Sequence, residues 1–301
     1  MRLLVGTQFL KALPPIGRRR CLGRALSIAT KHDRMKVGLF KKKKAVSPEY
    51  IDAMPGTPQC GTSRRGTSGA RAYAIGDVHG RLDLLRALID QIMVDRRDRP
   101  CERDYIVFLG DLIDRGPDSA GVIDYLLQAR AFLPNPIFLM GNHEEMLLHT
   151  LERDPTKMRD WLRFGGYECA QSYGVEVGRL ALLDPRAAVA LVRSAIPAAH
   201  IAFIDSFVDS FRFGDYLFVH AGIRPGIPIE QQNTRDLRWI RETFLDSVVE
   251  HPLLVVHGHT ITDAPDERPN RIGIDTGAYS SGTLTALCIE GSDRKYLRAE
   301  M

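Results

Sequence analysis

The sequence repeats one arrangement three times: a short apolar run, a glycine-containing polar loop, and a segment with apolar residues at helical spacing. The apolar runs span residues 73–75, 106–109 and 136–140, and the helical segments span residues 81–97, 118–130 and 144–152. Apolar residues recur at the three- and four-residue intervals of an amphipathic helix. Strands that alternate with helices predict βαβ units, and therefore an α/β fold with a largely buried sheet.

Four later apolar runs predict further strands, at residues 216–219, 253–256, 271–274 and 284–289. Between the two groups of strands, residues 156–210 are predicted to form a mostly helical insert. Pro185 and Pro197 are expected to open helices within it, because proline fits the first turn of a helix. With 301 residues, of which 44% are hydrophobic, the chain is long enough to bury a substantial core.

Polar residues are concentrated in the loops that directly follow five of these runs. The loops read Gly76-Asp77-Val78-His79-Gly80, Gly110-Asp111-Leu112-Ile113-Asp114-Arg115-Gly116, Gly141-Asn142-His143-Glu144, His220-Ala221-Gly222 and His257-Gly258-His259. Strands of an open α/β sheet present their carboxyl ends at one edge, so these loops can converge. Taken singly, an Asp after a strand is usually a helix N-cap. Five such loops in one chain indicate a functional site.

The residue types in these loops suit a metal ion. Together the loops offer three Asp, one Asn and five His. Carboxylate, amide and imidazole ligands bind hard-to-borderline divalent metals such as Mn²⁺, Fe or Zn²⁺. Cysteine is absent from the set, which argues against a structural zinc site.

In this order, the loops GDVHG, GDLIDRG, GNHE, HAG and HGH resemble the motifs of the calcineurin-like metallophosphoesterases. More narrowly, they resemble the bacterial and phage branch of the phosphoprotein phosphatase family, over about residues 71–290. The resemblance implies a four-layered α/β/β/α sandwich in which two sheets pack face to face. It also implies two divalent metal ions that share one carboxylate, with Mn²⁺ expected and Fe or Zn²⁺ as alternatives.

The resemblance assigns metal ligands position by position. The first metal would be held by Asp77, His79 and Asp111, and the second by Asp111, Asn142, His220 and His259. Asp111 would then bridge the two ions. Two metals about 3.5–4 Å apart can each bind a phosphate oxygen and share a hydroxide that attacks phosphorus in line.

The leaving oxygen of a phosphoester needs a proton, and the resemblance makes His143 the candidate general acid, oriented by Asp114. The alternatives are a metal-ligand role for His143 and a turn-capping role for Asp114. Since the proton is needed only when the leaving group is basic, this pair bears on the substrate as well as on the mechanism.

Charge that develops on the phosphoryl oxygens calls for fixed guanidinium groups. The resemblance implies that Arg115 and Arg241 supply them, with Asn142 as a further phosphate-binding residue. Arg238, by default a surface residue, is the alternative to Arg241. Tyr279 is expected either to overhang the site or to pack in the core.

The function implied by the resemblance is hydrolysis of phosphoserine or phosphothreonine in proteins, or of a phosphorylated small molecule. A sister branch hydrolyses diadenosine tetraphosphate and RNA caps, but its first motif is similar to GDxQG, where this chain has His79. A non-catalytic binding module is a distant alternative, because it would be expected to lose a ligand or the Asp114–His143 pair. The eukaryotic phosphatases have an arginine where this chain has His257. A free-standing, bacterial-type enzyme of the cytoplasm is therefore expected.

Charge divides the chain into a basic arm and an acidic body. Residues 1–70 carry 15 Lys and Arg against 3 Asp and Glu, a balance of +12, whereas the remaining residues have a balance of −8. Residues 1–44 are predicted to be a flexible basic arm, residues 45–70 a linker, and residues 71–297 the metallophosphoesterase domain. The overall charge is thus poor evidence for nucleic-acid binding by the body, and no stable nucleic-acid partner is expected.

Three interpretations of the arm stay open. It resembles an organellar transit peptide in composition, the true start could instead be Met35, or the arm could be a disordered tail that touches anionic surfaces. The five cysteines are scattered and form no CxxC motif, which favours a reducing compartment. The sequence has no window of about 18 uncharged apolar residues, so no spanning helix is predicted.

Overall fold

The computed structural model describes residues 50–52 and 64–301, so the predicted arm at residues 1–44 lies outside the described residues. The strands in the described part are β1 (Tyr50–Asp52), β2 (Ala70–Ile75), β3 (Arg103–Phe108), β4 (Pro136–Phe138), β5 (Ser210–Phe213), β6 (Tyr216–Val219), β7 (Leu254–His257), β8 (Asp266–Glu267), β9 (Arg271–Gly273), β10 (Thr283–Glu290) and β11 (Asp293–Glu300). The helices there are α1 (Leu82–Asp98), α2 (Ser119–Ala129), α3 (Asn142–Glu152), α4 (Met158–Trp161), α5 (Tyr167–Ser172), α6 (Val177–Leu180), α7 (Pro185–Ala195), α8 (Ala198–Asp205), α9 (Thr234–Trp239), α10 (Glu242–Leu245) and α11 (Ala278–Ser281).

The strands form two mixed sheets. Among the described residues, one sheet has the order β11–β10–β2–β3–β4 and the other has the order β1–β5–β6–β7–β9–β8. In the first sheet, β2, β3 and β4 are parallel, and each is followed by a helix, so the predicted βαβ units are confirmed. In the second sheet, β6, β7 and β9 are parallel. The loops of the predicted site follow the carboxyl ends of these two parallel sets.

The side chains of β2 alternate between two separate cores, because successive residues of a strand point to opposite faces. Ala72 and Ala74 join the core between the two sheets, where small side chains let the sheets approach. Tyr73 and Ile75 join a second core, which packs under α1, α2, α3 and the helices of the insert. The first sheet therefore has helices on one face and the second sheet on the other.

The second sheet repeats this alternation along β6. Phe218 packs into the core between the sheets, whereas Leu217 and Val219 pack against Leu237 of α9 and Phe244 of α10. Helices thus cover the outer face of each sheet, and the predicted four-layered α/β/β/α sandwich is confirmed.

Several helices begin at the residues that the sequence indicates. Asp118 caps α2, where its carboxylate accepts a hydrogen bond from the backbone N–H of Gly121 at 2.8 Å. Pro185 is the first residue of α7, and α8 starts directly after Pro197, as predicted. The helices of the insert end at Asp205, so the predicted insert ends about five residues too late.

Four strands fall where no strand was predicted. β5 lies at the end of the predicted insert, β1 lies within the predicted linker, β8 is a two-residue strand before β9, and β11 extends to Glu300. β11 was missed because it is an edge strand that reads Asp-Arg-Lys-Tyr-Leu-Arg-Ala-Glu, and charged edge strands show no apolar run. β5 is short and reads Ser-Phe-Arg-Phe, so its pairing with β6 was visible only in the folded chain.

Among residues 64–301, no single helix is both long and apolar enough to cross a membrane. One pair of helices meets the criteria of length and composition when taken together, namely α7 with α8, and the chain bends by 98° between them.

Candidate active site

The carboxyl ends of β2, β3, β4, β6 and β7 bring their five loops together. Hydrogen bonds cross from one loop to the next: the backbone N–H of His259 donates to Asp77 Oδ2 at 3.0 Å, and that of His143 donates to Asp111 Oδ1 at 3.0 Å. All six of the predicted metal ligands are buried there, and they are Asp77, His79, Asp111, Asn142, His220 and His259.

Four of these side chains converge on one point. The Oδ1 atom of Asn142 lies 2.9 Å from His220 Nε2 and 2.8 Å from His259 Nδ1. Asp111 Oδ2 lies 3.4 Å from the same His220 nitrogen. This is the set of residues predicted for the second metal, and separations near 3 Å between ligand atoms leave a central position for one cation.

A second group shares Asp111. Asp111 Oδ2 lies 3.6 Å from His79 Nε2 and 3.9 Å from His143 Nε2. One ligand atom from each of these three residues lies within 4.8 Å of the others, and the same holds for Asp111, His220 and His259. The geometry therefore groups His143, rather than Asp77, with His79 and Asp111.

Two of the histidines are held in a fixed orientation. His79 Nδ1 lies 2.8 Å from the carbonyl oxygen of Ile113, and His220 Nδ1 lies 2.8 Å from that of Leu109. A carbonyl only accepts, so each Nδ1 donates its proton to that carbonyl, and each Nε2 is the ring nitrogen that faces Asp111. Such outer hydrogen bonds orient metal-binding imidazoles. His259 Nε2 has no hydrogen-bond partner among the described residues.

The site also gathers negative charge where water is scarce. Burial, together with the carboxylates of Asp275 and Asp111, raises the pKa of Asp77 well above its ordinary value. Burial likewise raises the pKa of Asp275 to about 6 and that of Glu144 to about 7, and the charge of Asp111 adds to both shifts. Buried carboxylates are stable when they are paired with cations, so divalent metal ions fit this set of ligands.

The backbone of the site adopts rare conformations. Five non-glycine residues have positive φ, at 43° for His79, 48° for Asp111, 69° for Asp114, 65° for Arg115 and 65° for His259. Only one other non-glycine residue in the described part of the chain does so. Such conformations cost on the order of 1–3 kcal/mol each and persist where the surrounding structure enforces them, as at functional sites.

The Asp114–His143 pair is buried beside the metal-binding groups. Asp114 Oδ2 lies 2.7 Å from His143 Nδ1, and Ser119 Oγ accepts from the backbone N–H of Asp114 at 2.9 Å. Burial by itself would lower the pKa of His143, but the carboxylates of Asp111 and Asp114 outweigh it and raise that pKa. The arrangement can therefore hold a proton on this imidazole.

Two arginines border the site. Arg115 Nη1 lies 2.9 Å from His79 Nε2, and its guanidinium carbon lies 5.1 Å from the ring centre of Tyr279. Tyr279 is 36% exposed, so it overhangs the site, which was one of its two predicted placements. Arg241 is exposed, lies 3.4 Å from Thr260 Oγ1, and is close enough to His259 to help lower the pKa of that imidazole.

The placement of Arg238 on the surface was wrong. Its side chain is only 16% exposed, because it forms ion pairs with Asp209 at 2.6 Å and Glu145 at 2.8 Å. His257 is buried as well, and burial lowers its pKa to about 4. Arg271 lies 3.5 Å from His257 Nε2, so a second guanidinium at this position would face a like charge.

Three residues of the site received no role from the sequence. Glu144 accepts backbone hydrogen bonds from the loop around Asp111, and it stands three residues after Gly141 in a capping-box position, which is a signal visible in the sequence. Asp275 follows a predicted strand, as the other site residues do. Trp161 contacts Asp114 from the helical insert, and no sequence pattern indicates that contact.

A two-sheet α/β sandwich with paired Asp, Asn and His clusters at its strand ends defines a metallophosphoesterase. The chain belongs to the calcineurin-like phosphoesterase family, whose model matches residues 70–280. It is therefore a metal-dependent phosphoester hydrolase, and the family implies divalent metal ions at the clusters described above.

The names of the similar proteins state two different activities. The chain is 27% identical to serine/threonine-protein phosphatase 2 of Salmonella typhimurium over 225 residues, which cover 71% of this chain and 90% of that protein. It is 26% identical to the asymmetrical bis(5'-nucleosyl)-tetraphosphatase PrpE of Bacillus velezensis over 232 residues, which cover 70% of this chain and 86% of that protein. The chain is thus similar to both kinds of hydrolase.

Among solved structures, one provisionally described as a diadenosine tetraphosphatase matches with a TM-score of 0.55 and 20% identity, over 84% of this chain and 98% of that one. A structure of a cold-active protein tyrosine phosphatase matches with a TM-score of 0.50 and 17% identity, over 81% of this chain and 85% of that one. At these identities the matches support the fold alone.

Proposed function

We propose that this chain is a serine/threonine phosphoprotein phosphatase that uses two metal ions and the Asp114–His143 pair. The observation that carries the proposal is the buried contact of 2.7 Å between Asp114 Oδ2 and His143 Nδ1, beside both metal-binding groups. A serine or threonine alkoxide is a strong base, so it leaves phosphorus readily only when an acid protonates it. An ionised nucleotide is a far better leaving group and needs such an acid less.

The proposed first metal site consists of Asp77, His79 and Asp111, and the proposed second of Asp111, Asn142, His220 and His259. Bound there, two divalent cations, for which we propose Mn²⁺, would activate water and neutralise the phosphate. The presence of Asp111 in both groups of converging ligand atoms supports its bridging role, whereas Asp77 is assigned to the first site on the family resemblance.

In the proposed mechanism, His143 carries the proton on Nε2 and delivers it to the leaving oxygen. Asp114 holds Nδ1, so that the ring keeps one orientation and its cationic form is stabilised. Arg115 and Arg241, with the amide of Asn142, bind the phosphoryl oxygens as charge develops on them.

One further observation favours a phosphoprotein over a dinucleotide polyphosphate. The first motif of this chain contains His79, at the position where the motif of the tetraphosphatase branch, similar to GDxQG, has glutamine. The tetraphosphatase names among the relatives make diadenosine tetraphosphate the competing substrate.

The test is a substrate panel with the full-length protein in Mn²⁺, comparing a phosphoserine peptide, diadenosine tetraphosphate and p-nitrophenyl phosphate. We expect the highest kcat/KM on the peptide. His143→Asn should lower kcat on the peptide by about 10²–10⁴-fold, and much less on p-nitrophenyl phosphate, because nitrophenolate leaves without a proton.

His149→Asn is the matched control, because His149 lies on the same helix and away from the site. Preferential turnover of diadenosine tetraphosphate would overturn the proposed substrate. Equal losses on the peptide and on p-nitrophenyl phosphate would overturn the proposed role of His143.

We also propose that the protein works in the cytoplasm. The described cysteines Cys101, Cys169 and Cys288 are free thiols, and burial raises the pKa of Cys169 and Cys288, which keeps both unreactive. Fractionation of cells that express the full-length chain tests this proposal, and recovery in an organelle or at the cell surface would contradict it.

A further inference from the structure

The helical insert reaches the acid–base pair through one side chain. Trp161, at the end of α4, is fully buried, and its indole N–H points at the carboxylate of Asp114. Trp161 Nε1 lies 3.1 Å from Asp114 Oδ2 and 3.2 Å from Oδ1, while His143 Nδ1 lies 2.7 Å from the same Oδ2. One carboxylate thus accepts hydrogen bonds from both an imidazole and an indole.

We propose that Trp161 is a positioning residue that holds Asp114, and through it His143, in the orientation that protonates the leaving group. The inference rests on the proposed function of the Asp114–His143 pair. The indole N–H of Trp161 donates to Asp114 and not to a proposed metal ligand, so we expect its effect to fall on the orientation of the acid.

The chemistry of the contact supports a specific role beyond packing. A fully buried indole needs an acceptor for its N–H, and a carboxylate is the strongest acceptor a protein offers. A carboxylate held by a single donor can rotate about its own axis. The indole N–H of Trp161 restrains this rotation, together with the thiol of Cys169, which also hydrogen-bonds Asp114, and it keeps Oδ2 aimed at His143.

The turn that follows Trp161 is shaped for this contact. A Cβ on Gly166 would lie 2.5 Å from Cδ2 of the indole, so only glycine lets the chain fold back against the ring. Gly165, at φ 107°, accepts a hydrogen bond from the backbone N–H of Arg115 at 3.0 Å. The same turn therefore contacts both Asp114 and Arg115, and the pattern Trp-Leu-Arg-Phe-Gly-Gly encodes it.

Trp161→Phe tests the inference, because phenylalanine keeps an aromatic ring at this buried position and removes the N–H donor, at the cost of some packing volume. In the full-length protein with Mn²⁺, we expect kcat on a phosphoserine peptide to fall by about tenfold, the effect of one hydrogen bond to a charged group. We expect kcat on p-nitrophenyl phosphate to change by less than about twofold, with KM and bound Mn²⁺ unchanged. The ratio of the two kcat values does not depend on the fraction of folded protein, so partial unfolding cannot imitate the result.

The matched control is Trp239→Phe. Trp239 also donates its indole N–H to a carboxylate, that of Glu145, but it does not contact Asp114. This variant should leave the ratio unchanged. In a His143→Asn background, Trp161→Phe should likewise leave the ratio unchanged, because the group that it positions is gone.

The outcomes separate the two claims. The positioning role of Trp161 is wrong if His143→Asn changes the ratio of the two kcat values and Trp161→Phe does not. It is also wrong if Trp161→Phe loses bound Mn²⁺ or slows both substrates equally. In these cases the proposed acid role of His143 stands. If His143→Asn leaves the ratio unchanged, the proposed acid role fails, and the role of Trp161 fails with it.

Discussion

The carboxylate of Glu144 accepts a hydrogen bond from the backbone N–H of Asp111 at 2.9 Å, so one buried acid positions another at the centre of the site. The same carboxylate accepts hydrogen bonds from the backbone N–H groups of Leu112 at 2.7 Å, Ile113 at 3.3 Å and Gly141 at 3.1 Å. Four N–H groups from two loops thus converge on one side chain. This contact fixes the shared metal-binding residue relative to α3, which carries Asn142 and His143.

Glu144→Gln should destabilise the protein, because a buried NH₂ group would face two of these N–H donors. Unsatisfied buried donors cost about 1–3 kcal/mol each, so we expect the free energy of unfolding to fall by about 3 kcal/mol. Urea unfolding measures this free energy. Glu152→Gln, at the exposed end of the same helix, is the control and should change stability by less than about 0.5 kcal/mol. Equal stability of the two variants would contradict the role of Glu144.

Gly165→Ala should weaken phosphate binding through Arg115. An alanine Cβ would lie 2.5 Å from the backbone nitrogen of Arg115, and φ at this position is 107°, which alanine rarely adopts. We expect inhibition by inorganic phosphate to weaken by about tenfold, as for loss of one charge-assisted hydrogen bond. Gly178→Ala, in open space within the same insert, should bind phosphate normally. Unchanged inhibition in the Gly165 variant would show that the turn does not position Arg115.

Substitution of Arg241 should affect phosphate binding, whereas substitution of Arg238 should affect stability. Arg241→Gln removes an exposed guanidinium beside His259, so KM should rise several-fold while the free energy of unfolding stays within about 0.5 kcal/mol. Arg238→Gln breaks the ion pairs with Asp209 and Glu145, so it should destabilise by about 3 kcal/mol. Steady-state kinetics and urea unfolding of both variants provide the measurement. The reverse pattern would make Arg238 the phosphate-binding residue.

Asp95 should make stability depend on pH. Burial would raise its pKa, but hydrogen bonds from Arg99, Lys295 and Tyr73 outweigh burial and lower it. Because the folded pKa lies below the unfolded value, the contribution is full above about pH 4 and is lost as pH falls toward the folded pKa. Asp95→Asn should therefore cost about 2 kcal/mol at pH 7 and less at pH 3. Asp98→Asn, at an exposed carboxylate on the same helix, is the control and should change stability by less than about 0.5 kcal/mol at pH 7. A pH-independent cost at Asp95 would contradict the account.

Much of the fold and the site follows from local patterns in the sequence. Each βαβ unit has its own apolar run and its own helical periodicity, and each proposed metal ligand lies in a loop that follows such a run. The rule that strands of an α/β sheet end at one edge was then enough to predict that Asp77, Asp111 and His220 meet. Helical spacing likewise predicted a helix from Asp118, and the preference of proline for the first turn predicted where α7 begins.

The features of the fold and the site that were not predicted depend on contacts between segments distant in sequence. The ion pairs of Arg238 and the contact of Trp161 with Asp114 join residues 29 or more positions apart, and neither segment alone shows a signal. The strand β11 was missed for the opposite reason, since a charged edge strand avoids the apolar pattern by which strands are recognised. The folded structure therefore shows the specific partners of polar side chains, which local sequence patterns do not reveal.

The most direct test of the account is the number of metal ions bound by Asp111→Asn. Asp111 is buried between the two groups of ligand atoms and contributes to both, so removing its charge should weaken both sites together. After equilibration with Mn²⁺ and dialysis, we expect two ions per wild-type chain by elemental analysis. We expect the variant to lose most of both and its turnover of p-nitrophenyl phosphate to fall by several orders of magnitude, with the fold retained. A folded variant that keeps two ions and near-normal turnover would contradict the shared-carboxylate metal centre.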